Sequence, residues 1–296
     1  TKYISKDLKV DGKASIKELL YKSIKLNDLK SDVKLDNSVS VVNSTISAYG
    51  GSVKDTIRVD LNAKGIYYET IAEGSNVNLG ELINAAADSF LPKQFGDQLK
   101  SKIEGIGQTS MNIKGSGLNK KDVKKNLEGN LSFKMLNGKL KNWKIISDGL
   151  ASLKVNPTNE IPFREFYGKL RIGGQKITYD ECKVICDDAR YSILGEVFFD
   201  KDFDSNLNLK ILNDFSSKLT SQIGDVGKYA SDENGWIPLD FAVGNTISNP
   251  SFAPLMERTL KNAENKLKKT AEEELKKQGE DLKKKGEQLL KGLFGK

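Results

Sequence analysis

Few residues in this chain could do chemistry. Its 296 residues include 40 Asp and Glu and two cysteines, but no histidine. The acids adjoin one another at Asp180-Glu181, Asp187-Asp188 and Glu272-Glu273-Glu274. Acid–base catalysis calls for a second group of different pKa, most often His, and no motif here supplies one. Mg²⁺ and Ca²⁺ take ligands spaced through a loop, which adjacent acids do not provide. The expectation is a protein that is not an enzyme and has no catalytic residue, no metal site and no cofactor.

Cys182 and Cys186 flank Val184 in an alternating stretch. On a strand rising about 3.3 Å per residue they stand about 13 Å apart. A disulfide needs Cα atoms within about 7 Å, so the two should remain free. They read as small apolar residues on the inner face beside Val184. Buried free thiols are compatible with an oxidising compartment.

The elements that carry these residues are strands. Across 109–145, Met111 and Ile113 alternate with polar residues, Gly115-Ser116-Gly117 follows, and Lys120–Leu127 forms a short basic helix. A second alternating strand holds Leu131, Phe133 and Met135, and Asn137-Gly138 is predicted to turn a hairpin. Ile57, Val59 and Leu61 alternate with Arg58, Asp60 and Asn62, and Leu207, Leu209 and Ile211 with Asn206, Asn208 and Lys210. Val39 and Val41 sit between serines, and Asp11-Gly12, Gly50-Gly51, Lys64-Gly65 and Gly173-Gly174 read as turns. The pattern predicts about fourteen short, mostly antiparallel strands, each with one wet and one greasy face.

Helices are scarce. Val77–Leu91 reads as one, with Asn78 as N-cap and Pro92 as its stop; Gln94–Ile103 and Asp214–Ala230 are two more. They carry too little apolar surface to shelter a sheet of this length. Either the sheet folds on itself as a sandwich or barrel, or it forms a trough whose lining awaits a guest.

After Asn249-Pro250 the composition changes. The last 42 residues hold 12 Lys and Arg against 8 Asp and Glu, a net +4 out of the chain's +7. Met256, Leu260, Ala263, Leu267, Ala271, Leu275, Leu282, Leu289 and Leu293 form a narrow stripe on a charged helix interrupted by Gly279 and Gly286. Such a helix can pack on the sheet, form a coiled coil or lie in a membrane interface. The organisation is therefore a β domain over 1–250 and an amphipathic helix over 251–296. Basic residues interleaved with acids, without an aromatic platform, argue against nucleic acid. No apolar run of 18 or more residues and no signal-peptide pattern occurs.

Met111–Gly138, MNIKGSGLNKKDVKKNLEGNLSFKMLNG, resembles the C-terminal domain of AsmA-like bacterial proteins, in which an L-x-G-x-G strand precedes a short helix and then N-L-x-G-x-L-S-F. Other matches keep the same order: Gly50-Gly51-Ser52-Val53, Val77-Asn78-Leu79-Gly80-Glu81-Leu82, Phe166-Tyr167-Gly168-Lys169-Leu170, Ile193-Leu194-Gly195-Glu196-Val197, Trp236-Ile237-Pro238-Leu239 and Val243-Gly244-Asn245. The resemblance spans about residues 8–295. It implies a mainly β fold: a long, curved antiparallel sheet forming an open hydrophobic groove, with a few short helices and the C-terminal amphipathic helix. Proteins of this kind resemble bridge-type lipid carriers of the diderm envelope, kin in architecture to chorein and repeating β-groove proteins.

The implied function is binding and inter-membrane transport of phospholipid in support of outer-membrane biogenesis, with no chemical step. Acyl chains would lie on Ile57, Val59, Leu61, Leu131, Phe133, Met135, Val184, Leu207, Leu209 and Ile211. Lys283, Lys284, Lys285 and Lys291 would meet anionic head groups or an envelope protein, while Leu289, Leu290, Leu293 and Phe294 insert. Family members usually carry an N-terminal membrane helix, so the expected location is periplasmic, anchored in the inner membrane by a segment upstream of Thr1. The alternative is a closed β-domain scaffold that binds an envelope assembly partner through its C-terminal helix.

Overall fold

A computed structural model describes residues 8–62, 65–89, 96–97, 99–152, 159–198, 204–213, 236–246, 249–255 and 257–294. The chain divides into two units, Thr1–Lys210 with Phe241–Pro254, and Ile211–Asp240 with Leu255–Lys296.

The strands are β1 (Val10–Tyr21), β2 (Ile24–Asp36), β3 (Val39–Ala48), β4 (Gly51–Asp60), β5 (Tyr67–Asn78), β6 (Ile103–Ser116), β7 (Glu128–Lys141), β8 (Glu160–Gly173), β9 (Lys176–Ile185), β10 (Ala189–Phe198), β11 (Asp204–Asn213), β12 (Ile237–Thr246) and β13 (Asn249–Leu255), of which β1 to β10 lie wholly in the first unit. They form one sheet of 13 strands in sequence order, a linear arrangement with β1 and β13 as edges. The sheet is therefore open, which settles the choice between sandwich and trough in favour of a single layer. Every connection joins neighbours, and from β1 to β10 each strand runs antiparallel to the one before it.

Register explains why the alternation matters. Paired residues share a face. One row across β1 to β10 reads Gly12, Val33, Val42, Ile57, Thr70, Ile113, Gly129, Ile172, Ile177, Val197. The adjacent row reads Lys13, Asp32, Asn43, Thr56, Ile71, Asn112, Asn130, Arg171, Thr178, Glu196. The period-2 pattern thus sorts apolar from polar side chains over ten strands, with Thr70 and the exposed Ile71 of β5 as the exceptions in these two rows. On the wet face, cross-strand ion pairs such as Lys134–Glu165 at 3.0 Å and Arg171–Asp180 at 2.6 Å keep the surface charged. Exposed pairs of this type contribute at most about 1 kcal/mol each, so they maintain the wet face more than they stabilise the sheet.

Several turn expectations are corrected. Asn137-Gly138 lies within β7 and makes a bulge: Gly105 on β6 stands opposite both residues, between the pairs Glu104–Lys139 and Ile106–Leu136. Asn137 has a φ of 51°, the left-handed region that Asn tolerates and a bulge requires. The extra residue flips the parity, so that Gly138 and Leu140 continue the covered face begun by Leu131, Phe133 and Met135. A second bulge, at Ser75-Asn76 of β5, lies beside it across β6. Asp11-Gly12 is interior to β1. Val39 and Val41 pair with Asp60 and Arg58 on the wet face, one register away from the greasy one. Gly50 and Gly174 do occupy turns, with φ of 78° and 58°.

Four helices are described. α1 (Leu79–Ser89) starts two residues later than Val77, because Val77-Asn78 still belong to β5. Asn78 caps it: its Oδ1 accepts from the Glu81 amide at 3.2 Å, and its Nδ2 donates to Glu81 Oε1 at 2.8 Å. At its far end Ser89 accepts from Lys22 Nζ through its carbonyl, tying α1 to the β1–β2 turn. Pro92 lies outside the described residues. Of the expected Gln94–Ile103 helix, 96–97 and 99 are helical, and Ile103 opens β6 instead. α2 (Lys120–Asn126) is capped by Asn119, which accepts from the amides of Lys121 and Asp122. α3 (Lys144–Ser152), which the sequence reading missed, follows Trp143. The expected helix at Asp214–Ala230 lies outside the described residues.

In the second unit, α4 (Glu257–Phe294) is one helix of 38 residues. Leu260, Leu267, Leu275 and Leu282 lie along it, each more than half exposed. No described helix is long and apolar enough to cross a membrane.

Candidate functional site

The apolar face of the sheet is graded from one edge inward. In β1, Val10, Ile16 and Leu19 are exposed, and in β4 Ile57 is 36% exposed. Farther along, the paired row Met135, Phe166, Val184 and Tyr191 is buried to between 1 and 5% exposure. Part of that cover is aromatic. Phe166 packs against Phe133 with ring centroids 4.9 Å apart, against Phe163 at 5.7 Å and against Trp143 at 5.7 Å. The first two are edge-to-face, and such pairs contribute about 0.5–1.5 kcal/mol each beyond the area they bury. Gly168 makes room for this packing, since a Cβ there would stand 2.6 Å from Phe133 Cε1. In β12, Leu239, Phe241 and Val243 alternate and are buried.

Six of the ten residues expected to line a groove fall on this one face by register: Ile57, Val59, Leu131, Phe133, Met135 and Val184. Leu61 does not extend β4, which ends at Asp60; it is half-buried in a bend, its amide donating to the Ser38 carbonyl at 3.0 Å. Leu207, Leu209 and Ile211 belong to β11, and their side chains lie outside the described residues. On α4, Lys283, Lys284 and Lys285 are exposed. The backbone of Leu289, Leu290, Lys291, Leu293 and Phe294 is helical, and their side chains too lie outside the described residues.

Cys182 and Cys186 are free and buried on the same face as Val184. Burial pushes both thiols up to about 12, far from the reactive range. Tyr179 and Tyr191 are raised by the same desolvation. Among the described residues no three acids, cysteines or histidines gather as they would around a metal ion.

Among the polar residues that interrupt the greasy surface, two carry a buried atom without a partner, and the sequence reading passed over both. Asp55 pairs with Ser44 and Ala72, and Tyr68 with Val59 and Gly115. Asp55 Oδ1 and Tyr68 Oη are buried and have no hydrogen-bond partner. Desolvation, only partly offset by a hydrogen bond from Ser44, raises the Asp55 carboxyl above its ordinary range. The alternation held the clue: Asp55 lies two residues from both Val53 and Ile57, on their face.

The geometry is that of a one-sided sheet with a long apolar surface, sheltered in β7 to β10 and partly bare in β1 to β4. No curated protein and no solved structure matches the chain. Its sequence does match the AsmA family over residues 2–178, from the first strand into β9, and the chain therefore belongs to the AsmA family.

Proposed function

We propose that this protein binds phospholipid and carries it between the membranes of a diderm envelope, without enzymatic chemistry. AsmA membership points to envelope and lipid-related processes. One observation carries the finer reading: register carries one largely apolar face across ten strands, and at β1 to β4 that face is incompletely covered. A guest acyl chain gains about 0.8 kcal/mol for each methylene it buries. Along a uniform row the gain is nearly the same at every position, so a chain held tightly overall can still slide with little net change.

In this reading the protein works in the periplasm, tethered at the inner membrane by a segment upstream of Thr1. Its α4 helix seats on anionic lipid or on an envelope protein through Lys283, Lys284, Lys285 and Lys291, with Leu289, Leu290, Leu293 and Phe294 inserting. The four exposed leucines and the basic excess of the tail fit a charged, partly apolar surface.

The test is lipid analysis by mass spectrometry of protein purified without detergent, together with uptake of a fluorescent fatty-acyl probe. Bound phospholipid and saturable uptake are expected. Protein that is free of lipid and takes up no probe would replace the carrier with the scaffold that recruits a partner through α4.

A further inference from the structure

One row of the apolar face changes character along its length. Ser31, Ser44 and Asp55 pair in register across β2, β3 and β4, and the same row continues as Ala72, Met111 and Leu131 on β5, β6 and β7. Neighbouring strands lie about 4.8 Å apart, so a polar stretch of about 10 Å adjoins an apolar stretch of similar length. The polar stretch is connected: Ser31 Oγ donates to Ser44 Oγ at 3.0 Å, and Ser44 hydrogen-bonds the Asp55 carboxylate.

Asp55 nevertheless retains an unused acceptor. Its Oδ1 is shielded from water and unpaired, and the other such side-chain atom among the described residues, Tyr68 Oη, lies on the same face one strand away. Folded proteins leave few buried polar atoms unpaired, and a carboxylate is among the costliest to strand. A purely hydrocarbon guest would leave Asp55 unpaired. A guest with a donor at one end would relieve it.

We propose that this row seats a single amphiphile across the strands, its head group over Ser31, Ser44 and Asp55 and its acyl chain over Ala72, Met111 and Leu131, and that Asp55 selects head groups carrying a primary ammonium. The proposal rests on the lipid-carrier reading above. An ammonium brings both a positive charge and N–H donors to Oδ1. A quaternary ammonium brings the charge without a donor, and a glycerol head group brings a donor without the charge. An anionic head group without an amine meets repulsion.

The experiment measures displacement of a fluorescent fatty-acyl probe from the full chain by phospholipids of identical acyl chains bearing ethanolamine, choline or glycerol head groups. The parent protein should bind the ethanolamine lipid about tenfold more tightly than the choline lipid, the difference expected of one charge-assisted hydrogen bond. Asp55→Asn should bring the preference within about twofold, and Ser44→Ala should weaken it. Asp32→Asn, on the wet face of β2, should retain it, with circular dichroism confirming that each variant folds. Equal affinity for the three lipids in the parent, a preference that survives Asp55→Asn, or one lost equally in Asp32→Asn would overturn the seat. Probe uptake in those cases leaves the carrier reading intact. Absence of any uptake by the parent overturns both.

Discussion

Truncating inward side chains should cost stability in proportion to how well the protein itself covers them, and the missing part should appear only when a guest is bound. Ile57→Ala removes three carbons, worth about 2.4 kcal/mol if fully buried at about 0.8 kcal/mol per methylene. Ile57 is 36% exposed, so the lipid-free protein should lose only about 1.5 kcal/mol. Met135, on the same face but 1% exposed, should lose about 2–5 kcal/mol as Met135→Ala, because a cavity adds to the transfer loss. Urea midpoints at constant slope measure both. A bound acyl chain that covers the remaining third of Ile57 would make the side chain worth about 0.9 kcal/mol to binding, so Ile57→Ala should weaken lipid affinity about fivefold. Should Ile57→Ala cost as much as Met135→Ala without lipid, and leave lipid affinity untouched, β4 is already sealed by protein and the reasoning fails.

Three further outcomes follow from the same face. Gly168→Ala should force Phe133 out of its edge-on contact with Phe166 and lower stability by about 1–3 kcal/mol, read as a fall in thermal midpoint; an unchanged midpoint would show that the ring has room to move. The Asp55 carboxyl is raised above its ordinary 3.8, first by desolvation, so its ionised form is penalised in the fold. That penalty is absent below 3.8, grows as pH rises through the folded value and then stays constant, so the stability of Asp55→Asn relative to the parent should increase with pH over that interval. A gap that narrows with rising pH would contradict the burial of Asp55. Cys182 and Cys186, with thiols pushed up to about 12, should resist a disulfide reagent at pH 8 and react fully only in denaturant; rapid labelling of folded protein would mean that the inner face is open to water at β9.

Much of this architecture was legible because a strand's period is two and its register is local. Ile57 and Val59, or Leu131, Phe133 and Met135, announce their face through their polar neighbours, and nearest-neighbour connections then bring those faces together. What failed was local chemistry with two outcomes. Asn-Gly suits a tight hairpin and equally suits a bulge, because both need a left-handed residue; at Asn137-Gly138 the pairing of β7 with β6 and β8 on both sides of the bulge decided the matter. Val39 and Val41 misled for another reason, since Val42 adjoins them and only the pairing with Ile57 shows which parity faces inward. α3 is too short for periodicity to reveal, and its place is marked by Trp143 packing at a tilt against Phe166. Asp55 was overlooked because a charged residue in a strand is ordinarily assigned to water.

The two ends of the apolar face solve one physical problem differently. A single-layer sheet with a greasy side must have that side covered, since exposed apolar area costs about 25 cal/mol per Å². At β7 to β9 the chain contributes its own cover, placing Phe133, Phe163 and Trp143 around Phe166 and leaving Met135 and Val184 dry. At β1 to β4 the same face continues through Ile16, Val33, Val42 and Ile57, with Ile16 and Ile57 exposed. A guest acyl chain at β1 to β4 would supply what the aromatic rings supply farther along, and could leave without unfolding anything.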